Sequence, residues 1–513
     1  MIRPRRAKAR SRTLAALVIS TAFVASACGS DKKESAAAAT DAAAAATTAA
    51  TTAATTAATT AATTAATEAA ATTDGGESSD GRIEVRWFVG LGTGSQAEQI
   101  ERERTLIDGY NESQDKIKLV AEFVDNNTAK DALAAEIAGG NAPDIIGPVG
   151  REGANAFSGQ FLNLDPLIKS SGIDLSKYEP EQLEARRLPD GSIDSLPFAS
   201  FPSALYYNKE LFDEAGLPYP PAHYGEVYGK GTEYEGEWNM EKLQEISLIL
   251  TVDANGVAAN EDGFDKTKVA QWGFVHQFVA GPRSQGNFFG AGNVISEDGT
   301  AKIPDVWLTE WKWYHDMIHK YGASPTQTDL DSDVLSGNAF NSGKVGIAFT
   351  HLWYTCCLTD GEDPPTFKTF WDAAVIPSYE GHVTSKLHAD TFRIHKDTKN
   401  AEAAFEVLQW MQGDGALDLL SIYGAMPART DLRDAYFEGL DKNFTQGVNW
   451  QVFLDGLAYP DIPSAELDMP SFIESDERMK ELETQINTDP DLDLDAAAKD
   501  MEADLDAIWK AAG

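Results

Sequence analysis

Two histidines four positions apart are the strongest candidates for metal chemistry in this sequence. His315 and His319 belong to the segment W-L-T-E-W-K-W-Y-H-D-M-I-H-K-Y-G, where helical spacing places both imidazoles on one face. The acid beside the first histidine is Asp316, which is one methylene shorter than the glutamate of zinc peptidases, and no third ligand is evident. We therefore interpret the segment as an amphipathic core helix that ends at Gly322, and we predict no zinc site.

A run of aspartates is the second candidate for metal binding. Asp329, Asp331 and Asp333 have the spacing that opens a calcium loop. Val334 stands where such a loop needs its turn glycine, and Phe340 stands where it needs its closing glutamate. We predict that this run holds no metal.

The sequence lacks the common catalytic fingerprints. It contains no G-x-S-x-G, no phosphate-binding G-x-x-x-x-G-K and no dinucleotide fingerprint. Carboxylate pairs that cleave glycosidic bonds are recognised by their distance in space, and the chain has 80 Asp and Glu residues. We therefore predict a protein that is not an enzyme and needs no cofactor. The alternative is a secreted glycoside hydrolase or another carbohydrate-active enzyme.

The N-terminus has the pattern of a secretory leader. Six Lys and Arg residues are followed by an apolar run from Leu14 to Val24, which is too short to span a bilayer, so residues 1–27 are predicted to be a signal peptide. The sequence V-A-S-A-C-G-S around Cys28 resembles the lipobox of bacterial lipoproteins, with Ala25 in place of the usual Leu. Lipidation of the Cys28 thiol would anchor the protein to the outer face of the cell membrane; the alternative is plain secretion.

Residues 28–81 form a spacer that is rich in Ala and Thr and includes five copies of T-T-A-A. A segment with so few large apolar side chains cannot offset its ordering entropy, so we predict a disordered linker. The net charge of the whole chain is −38, which argues against nucleic acid and bare anionic lipid as partners.

Past Cys28, the only cysteines are the neighbours Cys356 and Cys357. An extracellular compartment favours disulfides. Adjacent α-carbons, however, lie about 3.8 Å apart across a trans peptide, which is below the usual span of a disulfide. The sequence therefore leaves two states open, a strained vicinal disulfide or two buried thiols.

The first folded stretch alternates strands with helices. R-I-E-V-R-W-F-V-G predicts a strand over residues 82–90, followed by a helix over 96–111, a strand over 117–124, a helix over 129–138 and a short apolar strand. This order predicts a parallel α/β sheet, in which ligands bind beyond the carboxyl ends of the strands.

Several motifs follow one another along the chain: A-G-G-N-A-P-D-I-I, L-P-F-A-S-F-P-S-A-L-Y-Y-N-K-E-L-F-D-E-A-G-L-P, F-N-S-G-K-V-G-I-A-F-T-H-L-W, A-A-V-I-P and Y-G-A-M-P-A-R. In this order they resemble family 1 of the extracellular solute-binding proteins, the sugar receptors of ABC importers. Two features depart from the family, an extra stretch between Pro220 and Trp238 and the Cys pair after Trp353. Both departures weaken any transfer of ligand identity.

The resemblance implies a periplasmic-binding-protein-like fold, with two α/β lobes joined by a three-crossing hinge. We expect residues 82–199 and 376–425 to form the N-terminal lobe, and residues 200–375 and 426–513 the C-terminal lobe. The crossings are expected at Pro197–Ser203, Val375–Ser378 and Ala425–Arg429, where prolines favour extended, non-helical chain.

The resemblance also implies a small solute, a sugar or oligosaccharide, bound between the lobes by hinge closure and delivered to the membrane permease of an ABC importer. We expect a monomer. Sugars need flat aromatic rings and orienting polar groups, and Trp353 is the first choice for the stacking ring because it matches the tryptophan after the family's F-x-x-G-K strand. The predicted ligand-binding residues are Gln96, Asn127, Arg151, Glu152, Phe201, His276, Phe288, Phe289, Trp353, Tyr354, His388 and Asp390.

Overall fold

The computed structural model describes residues 80–178, 182–183, 186–188, 190–279, 281–335, 338–358, 370–461 and 469–512. The predicted signal peptide, the lipidation of Cys28 and the disordered linker lie outside these residues, so those predictions stay predictions.

The first strands and helices follow the predicted alternation. They are β1 (Ile83–Val89), α1 (Ala97–Ser113), β2 (Ile117–Phe123), α2 (Asn126–Ala138) and β3 (Ile145–Val149). Strand β1 pairs in parallel with β2 on one side and with β3 on the other, and Val85, Trp87 and Val89 are buried. The parallel sheet predicted from the sequence is confirmed. The loops after β1 and β3 leave the carboxyl ends of these strands at the same edge of the sheet.

A single long strand connects the two parts of the sheet. β4 (Ser195–Asn208) has 14 residues, all of them buried. Its first part, residues 195–202, pairs with β9 (Leu387–Ile394), whereas residues 203–208 pair with β7 (Val345–His351) and β8 (Trp371–Ala374). β10 (Met426–Pro427) pairs with Ser200 and Ala199 in the middle of β4.

This pairing divides the sheet into two halves. The first half contains β1, β2, β3, β9 and residues 195–202 of β4, and the second half contains residues 203–208 of β4 with β6 (Val269–His276), β7 and β8. The continuous order is β2-β1-β3-β9-β4-β7-β6-β5, where β5 is Val252–Asp253. The chain passes between the halves within β4, between β8 and β9, and at β10, so all three predicted crossings are extended or irregular chain. The exact residue bounds of the lobes remain a prediction.

Helices cover both halves. The remaining ones are α3 (Arg151–Asn155), α4 (Asp165–Ser171), α5 (Lys209–Ala215), α6 (Met240–Leu250), α7 (Pro282–Gly286), α8 (Asp305–His315), α9 (Gln327–Leu330), α10 (Ala401–Met411), α11 (Ala416–Tyr423), α12 (Arg433–Asn443), α13 (Gln451–Gly456), α14 (Phe472–Thr488) and α15 (Leu494–Ala512). α8 continues as a π-helical turn, Asp316–Lys320, and the chain then turns at Gly322 with a φ of +66°. The predicted core helix is confirmed. In the sequence, Ala497, Met501, Leu505 and Trp509 recur at four-residue spacing, which predicts one apolar face of a helix. In α15, Met501, Leu505 and Trp509 are buried and Ala497 is partly buried.

The extra stretch between residues 220 and 238 folds against the core. Tyr228 is fully buried and stacks on Trp238 with ring centroids 5.3 Å apart, and its hydroxyl donates to the Pro218 carbonyl. The Trp238 indole N–H donates to the carbonyl of Val375 over 2.8 Å. The insertion is thereby attached to the segment that leads into the second crossing. Among the described helices, none combines the length and the apolar character needed to cross a membrane.

Candidate functional site

The loops after β1 and β3 meet at Asp390, which lies on β9 opposite Ala199. A Cβ added to Gly92 would lie 2.6 Å from the Pro148 carbonyl oxygen and 2.9 Å from Asp390 Oδ2, and one added to Gly150 would lie 3.1 Å from Asp390 Oδ1. The carboxylate therefore packs against glycine backbone at the carboxyl end of the parallel strands. We call the Leu91–Gly94 loop, Gly150 and Asp390 the glycine edge.

Side chains of the following helices hold the glycine edge in place. The buried Gln99 accepts from Gly94 N over 2.9 Å and donates to Thr93 Oγ1 over 2.8 Å. The Asn126 amide donates to the carbonyls of Gly90 and Gly92 over 2.8 and 2.6 Å. Sequence reasoning missed both residues. Their position at the start of a helix that follows a strand was the available signal.

A buried carboxyl lies beneath the same loop. Glu103 is fully buried, and a Cβ added to Gly94 would lie 2.7 Å from its Oε1. Burial raises the pKa of Glu103 to about 8, with the nearby Tyr423 hydroxyl opposing that shift. This carboxyl is therefore mostly protonated at neutral pH.

The other predicted polar residues of the first half lie around this edge. Gln96 precedes α1 and is exposed, and Asn127 is exposed with its amide bonded to Asp125 over 3.0 Å. Arg151 and Glu152 open α3 directly after β3, and His388 lies on β9 opposite Phe201; only the backbones of these three are described.

Aromatic side chains lie where the strands of the second half end. Trp353 is partly exposed and stacks on Phe278, with ring centroids 5.8 Å apart and an interplanar angle of 28°. Phe278 follows β6, is 52% exposed and has a φ of +59°, an unfavourable backbone conformation for a phenylalanine. Sequence reasoning missed Phe278. We call Trp353 and Phe278 the aromatic platform.

Strand β4 sets the distance between the glycine edge and the platform. Asp390 pairs with Ala199 and His351 pairs with Ser203, four residues further along the strand, which is a separation of about 13 Å. The His351 ring stacks on Trp353, and its Nδ1–H donates to the Phe201 carbonyl over 2.9 Å. The two surfaces therefore lie on either side of the middle of β4.

Five predicted ligand residues lie in the core. Phe288 packs on Phe349, Phe289 stacks on Tyr379, and the Tyr354 hydroxyl donates to Asn341 over 2.7 Å. His276 and Glu310 form a fully buried pair with Nε2 and Oε1 2.9 Å apart. Burial raises the pKa of Glu310. Core packing accounts for the positions of Phe201, His276, Phe288, Phe289 and Tyr354.

A buried polar cluster connects the segment that leads into β9 with α7 and the residue after it. Lys386 Nζ donates to Ser284 Oγ over 2.7 Å, and the Leu387 amide donates to Asp461 Oδ1 over 3.0 Å. The Asn287 amide donates to the other oxygen of Asp461 over 2.7 Å. A lysine and an aspartate buried at a crossing were not predicted, because nothing in their local sequence distinguishes them from surface charges.

A cavity of about 670 Å³ lies elsewhere, between α1 and the α10–α11 pair. Its walls include Arg102, Tyr110 and Trp410, and none of the predicted ligand residues is among its described walls. We place the candidate site between the glycine edge and the aromatic platform instead, because both lie at strand ends beside the middle of β4, where the two halves of the sheet meet.

The metal candidates have other roles. The ring N–H of His315 donates to the Asp489 carbonyl over 2.8 Å, and that of His319 donates to the Ile486 carbonyl over 2.9 Å. Both imidazoles thereby bind backbone carbonyls at the end of α14. In the part of the chain that the structure describes, no group of three or more His, Cys, Asp or Glu side chains could hold a metal ion.

Comparison with known proteins gives a family match. The model of bacterial extracellular solute-binding proteins matches residues 93–417. The sn-glycerol-3-phosphate-binding periplasmic protein UgpB of Rhizobium meliloti is 32% identical over 154 residues, which are 28% of this chain and 34% of that protein. The chain thus matches about a third of the length of this curated relative.

Two solved structures share the fold. The substrate-binding protein Lmo0181 from Listeria monocytogenes, in complex with cycloalternan, is 19% identical over 83% of this chain and 98% of its own, with a TM-score of 0.62. A solute-binding protein from Thermotoga lettingae, bound with α-D-tagatose, is 17% identical over 83% of this chain and 99% of its own, with a TM-score of 0.63. The predicted fold of two α/β lobes is confirmed by these likenesses.

Proposed function

The chain belongs to the bacterial extracellular solute-binding proteins, and from that premise we propose that it captures a sugar or oligosaccharide between its two lobes for an ABC importer. The observation that carries the proposal is the exposed, stacked Phe278–Trp353 pair beside the middle of β4. Phe278 contacts Trp353 and Tyr354 and yet stays half exposed at a positive φ, and backbone strain of this kind concentrates at functional sites. A flat apolar surface of this kind suits the C–H face of a sugar ring.

The glycine edge supplies the second surface. Gly92 and Gly150 bring the loop against Asp390. We propose that Asp390 and the polar groups of the Leu91–Gly94 loop that Gln99 and Asn126 do not already bind form hydrogen bonds with sugar hydroxyls. The stacked rings of the aromatic platform suit an uncharged C–H face, so we propose a neutral carbohydrate, in preference to the glycerol phosphate for which the curated relatives are named.

Binding is proposed to proceed by closure of the lobes. The crossings within β4, between β8 and β9, and at β10 are the segments about which the halves would move. A ligand that contacts both surfaces favours the closed state by its preference for that state. A Kd near 1 μM, or about −8 kcal/mol, suits capture followed by release.

A thermal-shift screen tests this proposal. Neutral mono- and oligosaccharides and sn-glycerol 3-phosphate are added to the secreted protein, and the bound solute is recovered and analysed by mass spectrometry. We expect a carbohydrate to stabilise the fold, by about 2.7 kcal/mol at a hundredfold excess over Kd, and to be recovered unchanged. Stabilisation by glycerol phosphate alone would overturn the choice of ligand. Cleavage of the sugar would instead support the hydrolase.

The anchor and the importer are further parts of the proposal. We propose that Cys28 carries the lipid and that the permease of an importer receives the solute from the closed form. Replacement of Cys28 by Ser should move the protein from the membrane fraction to the medium without changing its Kd. A wild-type protein found in the medium, with an unmodified N-terminal mass, would contradict the anchor.

A further inference from the structure

The aromatic platform and the two cysteines share one short segment. The 3₁₀-helical turn Leu352–Leu358 follows β7 and carries Trp353, Cys356 and Cys357. Because β7 runs antiparallel to β4, the turn continues from the second half of the sheet towards the first. The Sγ atoms of the two cysteines are 3.3 Å apart, beyond the covalent S–S length of about 2.05 Å.

This turn also packs against the third crossing. Gly424 ends α11 with a φ of +62° and is followed directly by Ala425 and β10. A Cβ at Gly424 would lie 2.7 Å from the Trp353 carbonyl oxygen and 3.1 Å from Cys356 N. The backbone that links Trp353 to Cys356 is therefore in close contact with the chain that crosses between the halves.

The opposite side of the turn is fixed by hydrogen bonds. The Asn341 amide donates to the Cys357 carbonyl over 2.7 Å, and the same side chain accepts from the Tyr354 hydroxyl over 2.7 Å. A change in the conformation of the Cys356–Cys357 peptide must therefore displace Trp353, displace Gly424 or break these hydrogen bonds. Charged groups of α1, Glu98 and Arg102, also lie close enough to act on Cys356 electrostatically.

We propose that Cys356 and Cys357 are a redox modification site, at which a vicinal disulfide moves the Trp353 ring away from Phe278 and weakens ligand binding. The effect on binding rests on the proposed function, whereas formation of the disulfide does not. Adjacent cysteines make a strained bridge, because their α-carbons are closer than most disulfides allow. Strained disulfides are the ones that are easily reduced and regulatory, so both states are accessible outside the cell.

The exchange reaction needs an external disulfide, such as oxidised glutathione. One cysteine sulfur, as thiolate, attacks a sulfur of that disulfide and releases one glutathione thiol. The second cysteine then attacks the mixed disulfide, closes the vicinal bridge and releases the other glutathione thiol. The hydrogen bond between the two sulfurs, together with burial, raises the pKa of the Cys356 thiol.

The test uses the full chain with Cys28→Ser, so that the pair supplies its only thiols. The protein is incubated with oxidised or reduced glutathione, and its intact mass and alkylatable thiols are measured. We expect a loss of about 2 Da and of both thiols on oxidation, because two S–H bonds are replaced by one S–S bond. Two thiols that persist under excess oxidised glutathione would overturn the modification.

The consequence for binding is measured on the same two states. The Kd for the carbohydrate found in the screen should rise about tenfold in the disulfide state and return on reduction. In a Cys356→Ser/Cys357→Ser variant the Kd should not depend on glutathione. A disulfide that forms and leaves the Kd unchanged would overturn control of binding. If no carbohydrate binds either state, the proposed function fails. The intact mass then still shows whether the disulfide forms, and hydrogen exchange over residues 352–358 and 424–427 shows whether it changes the conformation of the turn.

Discussion

The glycine edge and the aromatic platform are built by opposite means. At the glycine edge, Gly92 and Gly150 have no side chain, which lets the backbone pack against the Asp390 carboxylate. At the platform, two large rings are held partly in solvent, one of them at a positive φ. The first surface depends on two glycines that lack a side chain, and the second depends on two large aromatic side chains. A mutation should therefore damage the first by adding atoms and the second by removing them.

The largest effect is expected at the platform. Replacing Trp353 by Ala removes the stacking ring and should weaken carbohydrate binding about a hundredfold, which is about 2.7 kcal/mol. Isothermal titration calorimetry measures the change. Phe370→Ala is the matched control, because Phe370 is 48% exposed and its carbonyl accepts from the Lys209 amide, just past the end of β4 that is remote from Ser203 and His351. Equal affinity for wild type and Trp353→Ala would remove Trp353 from the site.

The reverse change tests the glycine edge. Gly92→Ala places a Cβ 2.6 Å from the Pro148 carbonyl oxygen and 2.9 Å from Asp390 Oδ2, so the loop must move. We expect about thirtyfold weaker binding, or about 2 kcal/mol, in the same titration. In Gly109→Ala, a control on α1 with open space around the new methyl group, affinity should be unchanged. If both variants bind alike, the edge does not contact the solute.

The pH dependence of stability tests the glycine edge and not the platform, because Glu103, a carboxyl with a raised pKa, lies under the loop of the glycine edge. The folded pKa of Glu103 is about 8 against an ordinary value of 4.5. Between these values the unfolded chain has lost this proton while the folded chain keeps it, so stability falls as pH rises.

Glu103→Gln removes this linkage. From pH 6 to pH 7, the free energy of unfolding of the wild type should fall by about 1.4 kcal/mol relative to the variant, as measured by urea denaturation at each pH. Parallel curves for the two proteins would show that Glu103 ionises normally in the folded state.

The smallest effect is expected from two neighbouring asparagines. Asn126 holds the carbonyls of Gly90 and Gly92, whereas the Asn127 side chain bonds only locally to Asp125 in the contacts described. Asn126→Ala should weaken binding by about 1 kcal/mol, and Asn127→Ala should change it much less. A larger loss at Asn127 would indicate that this exposed amide contacts the solute directly.

The elements could be predicted more fully than the site. The alternation of R-I-E-V-R-W-F-V-G and the helical spacing of α15 depend on neighbours in sequence, and both predictions are confirmed. Phe278, Phe288 and Phe289 look alike in sequence, yet one is half exposed and two are buried. Only tertiary packing makes that distinction. The contact of Asp390 with Gly92, nearly three hundred residues earlier, likewise has no local signal.

Strand β9 gives this chain a particular order of folding. It lies between β3 and β4 in the first half of the sheet, although more than 170 residues separate it from the end of β4. The first half therefore cannot complete its hydrogen-bond ladder until residues 387–394 are available, and these follow the whole of β7 and β8 in the sequence. Contacts this distant in sequence form slowly, so we expect a chain arrested before residue 387 to remain sensitive to protease and one that includes Ile394 to become resistant.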